Sequence, residues 1–116
     1  KLIEKSGLKE NEGIFNFLED INKTTVIIKK SSLVISNDSI MGHIAAAVGT
    51  KVIGIFGPTS WENTGPFTDK KEIICKRPRE IEPYRHGSKG ITAEQAASLS
   101  KIEVNEVYKI VDKILK

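Results

Sequence analysis

The sequence predicts an α/β fold built on a parallel sheet, and three observations carry that prediction. Apolar runs without alternation occur at residues 33–35, 52–56 and 73–75. Runs of this kind suit strands buried on both faces, as in a parallel sheet. Segments of helical character stand beside them, and the links are short. Strand, helix and strand in that order imply β-α-β units with right-handed crossovers.

The elements follow in order along the chain. Residues 13–18, GIFNFL, suit either a short strand or the end of a helix, since six residues carry too little periodicity to decide. Asp20 suits an N-cap, and Leu18, Ile21, Thr25 and Ile28 recur at helical spacing, so a helix is expected over 20–30. The β-branched run over 24–28 works against it through lost χ1 freedom. After the strand at 33–35, Ala45, Ala46 and Ala47 favour a helix over 41–48 that packs close to its neighbours. Gly49 is its natural stop. The next strand, 52–56, ends at Gly57-Pro58.

Residues 76–101 are irregular, with Pro78, Pro83, Gly87 and Gly90. Within them, Thr92 followed by Gln95 is a capping-box pattern that can start a short helix. Val104, Val107, Ile110, Val111, Ile114 and Leu115 form one apolar stripe, so an amphipathic helix is expected over 103–115.

A chain of 116 residues makes about one domain. Its apolar and charged fractions, 39% and 28%, are those of an ordinary globular protein rather than a disordered one. No apolar run approaches the ~20 residues of a membrane-spanning helix. No charged segment followed by an apolar core opens the sequence, so no signal peptide is expected. It opens at Lys1 rather than at methionine, as a fragment or a processed chain would. With Cys75 alone and only His43 and His86, neither an internal disulfide nor a metal site is expected.

The net charge of +3 is uneven. Between residues 70 and 89, seven basic side chains (Lys70, Lys71, Lys76, Arg77, Arg79, Arg85, Lys89) face three acids, a local balance of +4. Such a patch attracts phosphates, lipid headgroups or nucleic acid, or is simply a solvated loop. Nucleic acid is the weakest of these, because Tyr84 is the only aromatic there to stack on a base.

Ligands of parallel sheets sit beyond the carboxyl ends of the strands. Two polar segments fall there, 36–43 and 57–66. In the first, the chain leaves a strand and enters a helix, whose free N–H groups and dipole attract an anion. Ser39 adds a hydroxyl, and His43 lies one turn into the helix. Asp38 would repel a phosphate, so it suits sugar hydroxyls, which donate hydrogen bonds; the alternative is a helix cap. In the second, Gly57 suits a close backbone approach, Thr59 offers a hydroxyl, and Trp61 can stack on a base or sugar or cover the edge of the core.

Taken together, LVISNDSIMGHIAAAVGTKVIGIFGPTSWENTGPF, residues 33–67, resembles the signature of the heptosyltransferase family. The family pattern runs apolar strand, Asp, Ser or Thr, Gly, two residues, His, Ala-rich helix, apolar strand, Phe-Gly-Pro-Thr and then Thr-Gly-Pro. Asp38, Ser39, His43, residues 45–47, 56–59 and 64–66 match it in order. Ile40 stands where the pattern has glycine, and Gly42 follows two positions later. Should that position need a positive φ, Ile40 would be strained there.

The resemblance implies a Rossmann-like sheet flanked by helices, as one half of the two-domain GT-B glycosyltransferase architecture. Residues 1–116 would then be the C-terminal nucleotide-sugar-binding domain, incomplete and without the N-terminal acceptor domain. It implies that Asp38 holds sugar hydroxyls, that Ser39 and nearby amides, Ile40 included, hold phosphates, that His43 positions both, and that Gly57 and Thr59 border the cleft. The implied substrates are a nucleotide-sugar of the ADP-heptose kind and a lipid-linked or other glycan acceptor, with no metal and no resident cofactor. The base for the acceptor is expected from the missing domain, so no catalytic residue is assigned here and the chain alone is expected to be inactive. The implied location is the cytoplasm, peripheral to the inner face of the inner membrane. A different class remains open: a non-catalytic nucleotide-binding or interaction module that keeps a transferase half-fold.

Overall fold

The computed structural model describes residues 20–116; the expectation for 13–18 lies outside them. Among the described residues eight elements follow one another: α1 (Ile21–Lys30), β1 (Val34–Ser36), α2 (Ile40–Val48), β2 (Val52–Phe56), α3 (Trp61–Thr64), β3 (Lys71–Cys75), α4 (Ala93–Ser100) and α5 (Val104–Leu115). The three strands form one parallel sheet in the order β1-β2-β3. Val34 pairs with Val52 and Ser36 with Gly54 on one side of β2, and Val52 pairs with Lys71 and Phe56 with Cys75 on the other. The expected α/β class with a parallel sheet and flanking helices is therefore the observed one.

The helices start and stop where local chemistry dictates. Asp20 caps α1 by accepting from the Lys23 amide at 2.9 Å, and this cap outweighs the β-branched run behind it. At the end of α2, Gly49 takes φ 80°, and its N–H reaches the Ala45 and Ala46 carbonyls, a left-handed cap open to glycine at little cost. Thr92 and Gln95 close a reciprocal capping box at α4, with bonds of 2.9 and 3.1 Å.

The core sits between α1, α2 and the sheet. Ile28, Ala45 and Val52 are buried together, with Val34, Ile44 and Val48 packed against them. Ala45 is fully buried, and a Cβ on Gly42 would lie 3.5 Å from the Ser36 hydroxyl, so small residues let α2 lie close against β1. Thr50 ties the layers by donating its buried hydroxyl to the Ile28 carbonyl at 2.9 Å.

Two expectations need correction. The run at 33–35 does not form a strand buried on both faces: β1 covers Val34–Ser36, and Ile35 is 50% exposed. Among the described residues β1 pairs with β2 alone, and the alternation of side chains turns Val34 and Ser36 to α2 while Ile35 faces the other way. Among the described strands only β2, paired on both edges, has the expected depth. The stripe of α5 also stops short of full burial, with Val107, Ile110, Val111 and Ile114 half-buried and Val104 84% exposed.

α5 carries a pH-sensitive cap. Glu106 accepts from the Glu103 amide at 2.9 Å and pairs with Lys76 of the segment after β3. The amide first, and Lys76 second, hold its carboxyl below 4.5. A folded pKa below the unfolded one contributes stability above the unfolded pKa and loses it as pH falls through the folded one. Acidification from pH 5 to below about 4 is therefore expected to fray the start of α5. Helix content followed by circular dichroism checks this, and Glu106→Gln, which keeps an acceptor but no titrating group, should flatten the change. Equal acid sensitivity in the two chains would place it elsewhere.

Candidate functional site at the carboxyl ends of β1 and β2

The segments after β1 and β2 meet. Ser36 ends β1, and its buried hydroxyl donates to the Asn37 carbonyl at 2.8 Å and lies 3.0 Å from the Ser39 hydroxyl. These bonds fold the chain sharply out of the sheet and deliver Ser39 as the N-cap of α2. Ser39 makes no side-chain bond to the first turn, so its own hydroxyl does not close over those amides. Asp38 does not cap the helix. Its carboxylate instead meets Thr64 at the end of α3, with Thr64 Oγ1 3.0 Å from Oδ2.

Thr64 Oγ1 also lies 2.9 Å from the Ser60 carbonyl, so one hydroxyl proton serves two acceptors. The one-turn helix α3 makes this contact. Its Gly65 N–H bonds the Trp61 carbonyl at 2.9 Å, and a Cβ on Gly65 would overlap that same oxygen. The Asp-Ser loop and the Thr-Gly-Pro segment, 26 residues apart in sequence, thereby become one corner. Thr64 is the residue that reasoning from single positions misses. By itself it is an ordinary loop threonine, and only its place in the Thr-Gly-Pro signature marks it.

The corner is open. Asp38, Ile40 and His43 are exposed, Ile40 by 58%, and Ser39 is half-buried. Ile40 and His43 share a helix stripe at i, i+3, and His43 lies four residues on from Ser39, one turn along the same face. Ile40 is the first helical residue, and the positive-φ residues among those described are Gly49, Gly87 and Gly90. The strain considered for Ile40 does not arise. Gly57 and Thr59 lie at the end of β2, Gly57 buried and Thr59 half-buried. The group that comes close to Gly57 is Leu99 of α4, whose Cγ a Cβ would overlap.

Part of the basic segment is tied to the protein, while Arg79, Arg85 and Lys89 are exposed. Lys71 donates to the Pro66 carbonyl at 3.0 Å and stands 6.0 Å from the Trp61 ring centroid. Lys76 pairs with Glu106, and Arg77 Nη1 donates to the Ile81 carbonyl at 2.5 Å. Glu62 has its carboxyl held below 4.5 by its own backbone N–H and the Ser60 hydroxyl, with Arg77 adding a smaller pull. Among the described residues no cluster of three or more His, Cys, Asp or Glu is arranged to hold a metal, and no helix is long and apolar enough to cross a membrane.

A parallel β-α-β unit with an acid, hydroxyls and a helix start at its strand ends defines a Rossmann-like α/β domain. Residues 19–93 match the family model for glycosyltransferase family 9 (heptosyltransferase). The chain belongs to that family. It is 39% identical over 70 residues to lipooligosaccharide heptosyltransferase 2 of Haemophilus influenzae, covering 60% of this chain and 20% of the relative. It is 30% identical over 74 residues to lipopolysaccharide heptosyltransferase 2 of Salmonella typhimurium and of Escherichia coli, covering 64% of this chain and 20% of each. The match thus spans about a fifth of the length of these curated relatives. No solved structure matches the chain.

Proposed function

We propose that the chain is the donor-binding part of a glycosyltransferase that moves a heptose-like sugar from a nucleotide-diphosphate sugar to a lipopolysaccharide or related glycan. The observation that carries this reading is the corner itself. Asp38, held by Thr64, stands beside the helix start of α2 with its uncapped amides. The carboxylate accepts from sugar hydroxyls, while the amides of residues 40–42 and the Ser39 hydroxyl donate to a diphosphate. His43, one turn further, positions both groups, and Thr59 and Gly57 border the cleft. ADP-heptose is the donor of this proposal, a substrate rather than a resident cofactor.

In the transfer, the acceptor hydroxyl oxygen bonds to the anomeric carbon, the bond from that carbon to the diphosphate breaks, and the diphosphate leaves with the electron pair. The amides of α2 stabilise that departing charge. The acceptor's proton goes to a base on a further domain, so these 116 residues bind but do not transfer. A cytoplasmic location at the inner face of the inner membrane suits a lipid-linked acceptor.

Calorimetric titration tests the reading. The chain is expected to bind ADP-glucose, used as the probe, more tightly than ADP. Hydrogen bonds to a charged group contribute about 1.5–3 kcal/mol, so Asp38→Asn should weaken ADP-glucose by about tenfold or more and change ADP far less. Asn keeps an acceptor for Thr64, so the corner stays tied. Equal affinities for ADP and ADP-glucose in both chains would remove the sugar role of Asp38 and favour the non-catalytic module.

A further inference from the structure

We propose that α5 and the basic groove at its carboxyl end dock the protein on an anionic lipid surface. α5 carries two apolar faces. Val107, Ile110 and Ile114 are half-buried, whereas Val104, Tyr108 and Leu115 stand 84, 65 and 56% exposed. These last three, with the half-buried Val111, recur at i, i+4, i+7 and i+11, which makes one stripe along the helix. Lys109, Lys113 and Lys116 are exposed on the polar side of the same helix. An open apolar stripe on a lysine-rich helix suits a lipid interface. The apolar side chains sink below the headgroups, and the lysine stems reach up to them.

The groove continues the stripe. Ile114 and Leu115 line it together with Lys29, Lys51 and Lys70, over 420 Å³. A neighbouring hollow of 260 Å³ shares Lys51, Lys70 and Ile114. Both lie at the amino ends of the strands, away from the corner at their carboxyl ends. Helix ends hold the ammonium groups there. Lys29 stands in the last turn of α1, and Lys70 Nζ donates to the Gly49 carbonyl, the cap of α2, at 3.4 Å. Three lysines and no acid line the larger groove, a lining that attracts a lipid phosphate. A second copy of the chain fits less well. It carries the same net charge of +3, and a two-fold contact along α5 would set these lysines against one another. Nucleic acid would match the lysines but leave the stripe in water.

The surface deepens the transferase reading, since it says how the domain meets a lipid-linked acceptor, and it rests on that reading for the source of the lipid alone. Sedimentation with vesicles, in the absence of any nucleotide-sugar, tests it. The chain is expected to bind vesicles of phosphatidylglycerol mixed with phosphatidylcholine and not vesicles of phosphatidylcholine alone. Raising the salt from about 0.1 M to about 1 M, which shortens the Debye length from about 10 Å to about 3 Å, should release most of it. One lysine near a charged bilayer changes affinity by about fivefold, so Lys51→Glu should weaken binding by at least that factor. Tyr108→Glu should do so as well, by putting a charge on the stripe. Lys89→Glu makes the same charge change in the loop after β3 and should leave binding intact. All three positions are exposed, and the thermal midpoint of each variant checks the fold. No binding to the anionic vesicles, full binding by Tyr108→Glu, or an equal loss in Lys89→Glu would overturn the surface. So would a dimer in the absence of vesicles that Tyr108→Glu dissolves, which would give the stripe to a second copy. Single-stranded DNA held as tightly as the vesicles would give the groove to nucleic acid and overturn it too. Vesicle binding in a chain that binds no ADP-glucose would uphold the surface and sink the donor reading, so the two proposals fail separately.

Discussion

Phe56→Ala is expected to cost about 3–5 kcal/mol. Phe56 closes β2 and is 1% exposed, and β2 is the strand that pairs on both sides. Removing the ring forfeits its transfer energy and leaves a cavity that strands fixed by two ladders cannot collapse to fill. Small domains have about 5–15 kcal/mol in total, so the loss takes a large share of the whole. A urea midpoint measured by circular dichroism should fall by about 2 M, given slopes of about 1–3 kcal/mol per M. Ile35→Ala, on the half-exposed face of β1, should cost under about 1.5 kcal/mol. Equal losses at the two positions would mean that the core is not centred on β2.

Gly65→Ala should cost about 1–3 kcal/mol and disable the corner at the same time. The backbone of Gly65 is extended, φ −72° and ψ 164°, which alanine adopts freely, so conformational strain is not the cause. The obstacle is the Trp61 carbonyl oxygen, which a Cβ would overlap. That oxygen belongs to the backbone and cannot swing aside, so the turn must open. Opening it breaks the Gly65 to Trp61 bond and displaces Thr64 from Asp38. ADP-glucose affinity should therefore fall together with the melting temperature. Gly42→Ala is the contrast: its Cβ meets Ser36 at ordinary distances inside α2, and alanine's helix propensity should make it neutral or stabilising by up to about 1 kcal/mol. Wild-type melting and binding in Gly65→Ala would show that the turn does not hold the site.

The elements were largely legible because their signals are local. The cap at Asp20, the Thr92–Gln95 box, Gly49 and the period of α5 each act within one or two turns, and each stands where the sequence puts it. Length was less legible. β3 begins at Lys71 rather than near Ile73, because the ladder to β2 recruits polar residues that no apolar run announces. α3 gives no sequence signal, since a single turn between Ser60 and Gly65 carries too few residues for a period.

What the sequence determined by itself is the order of strands and helices and the two polar segments at strand ends, since spacing and capping are properties of neighbouring residues. What only the tertiary structure decided is which residues meet. Asp38 finds Thr64 rather than its own helix, Gly57 lies under Leu99 rather than an open approach, and Ile35 of β1 is half exposed. Each of these depends on residues 18 to 42 positions away in the chain or on a strand's place in the sheet. Packing in three dimensions sets such contacts, and no window of adjacent residues contains them.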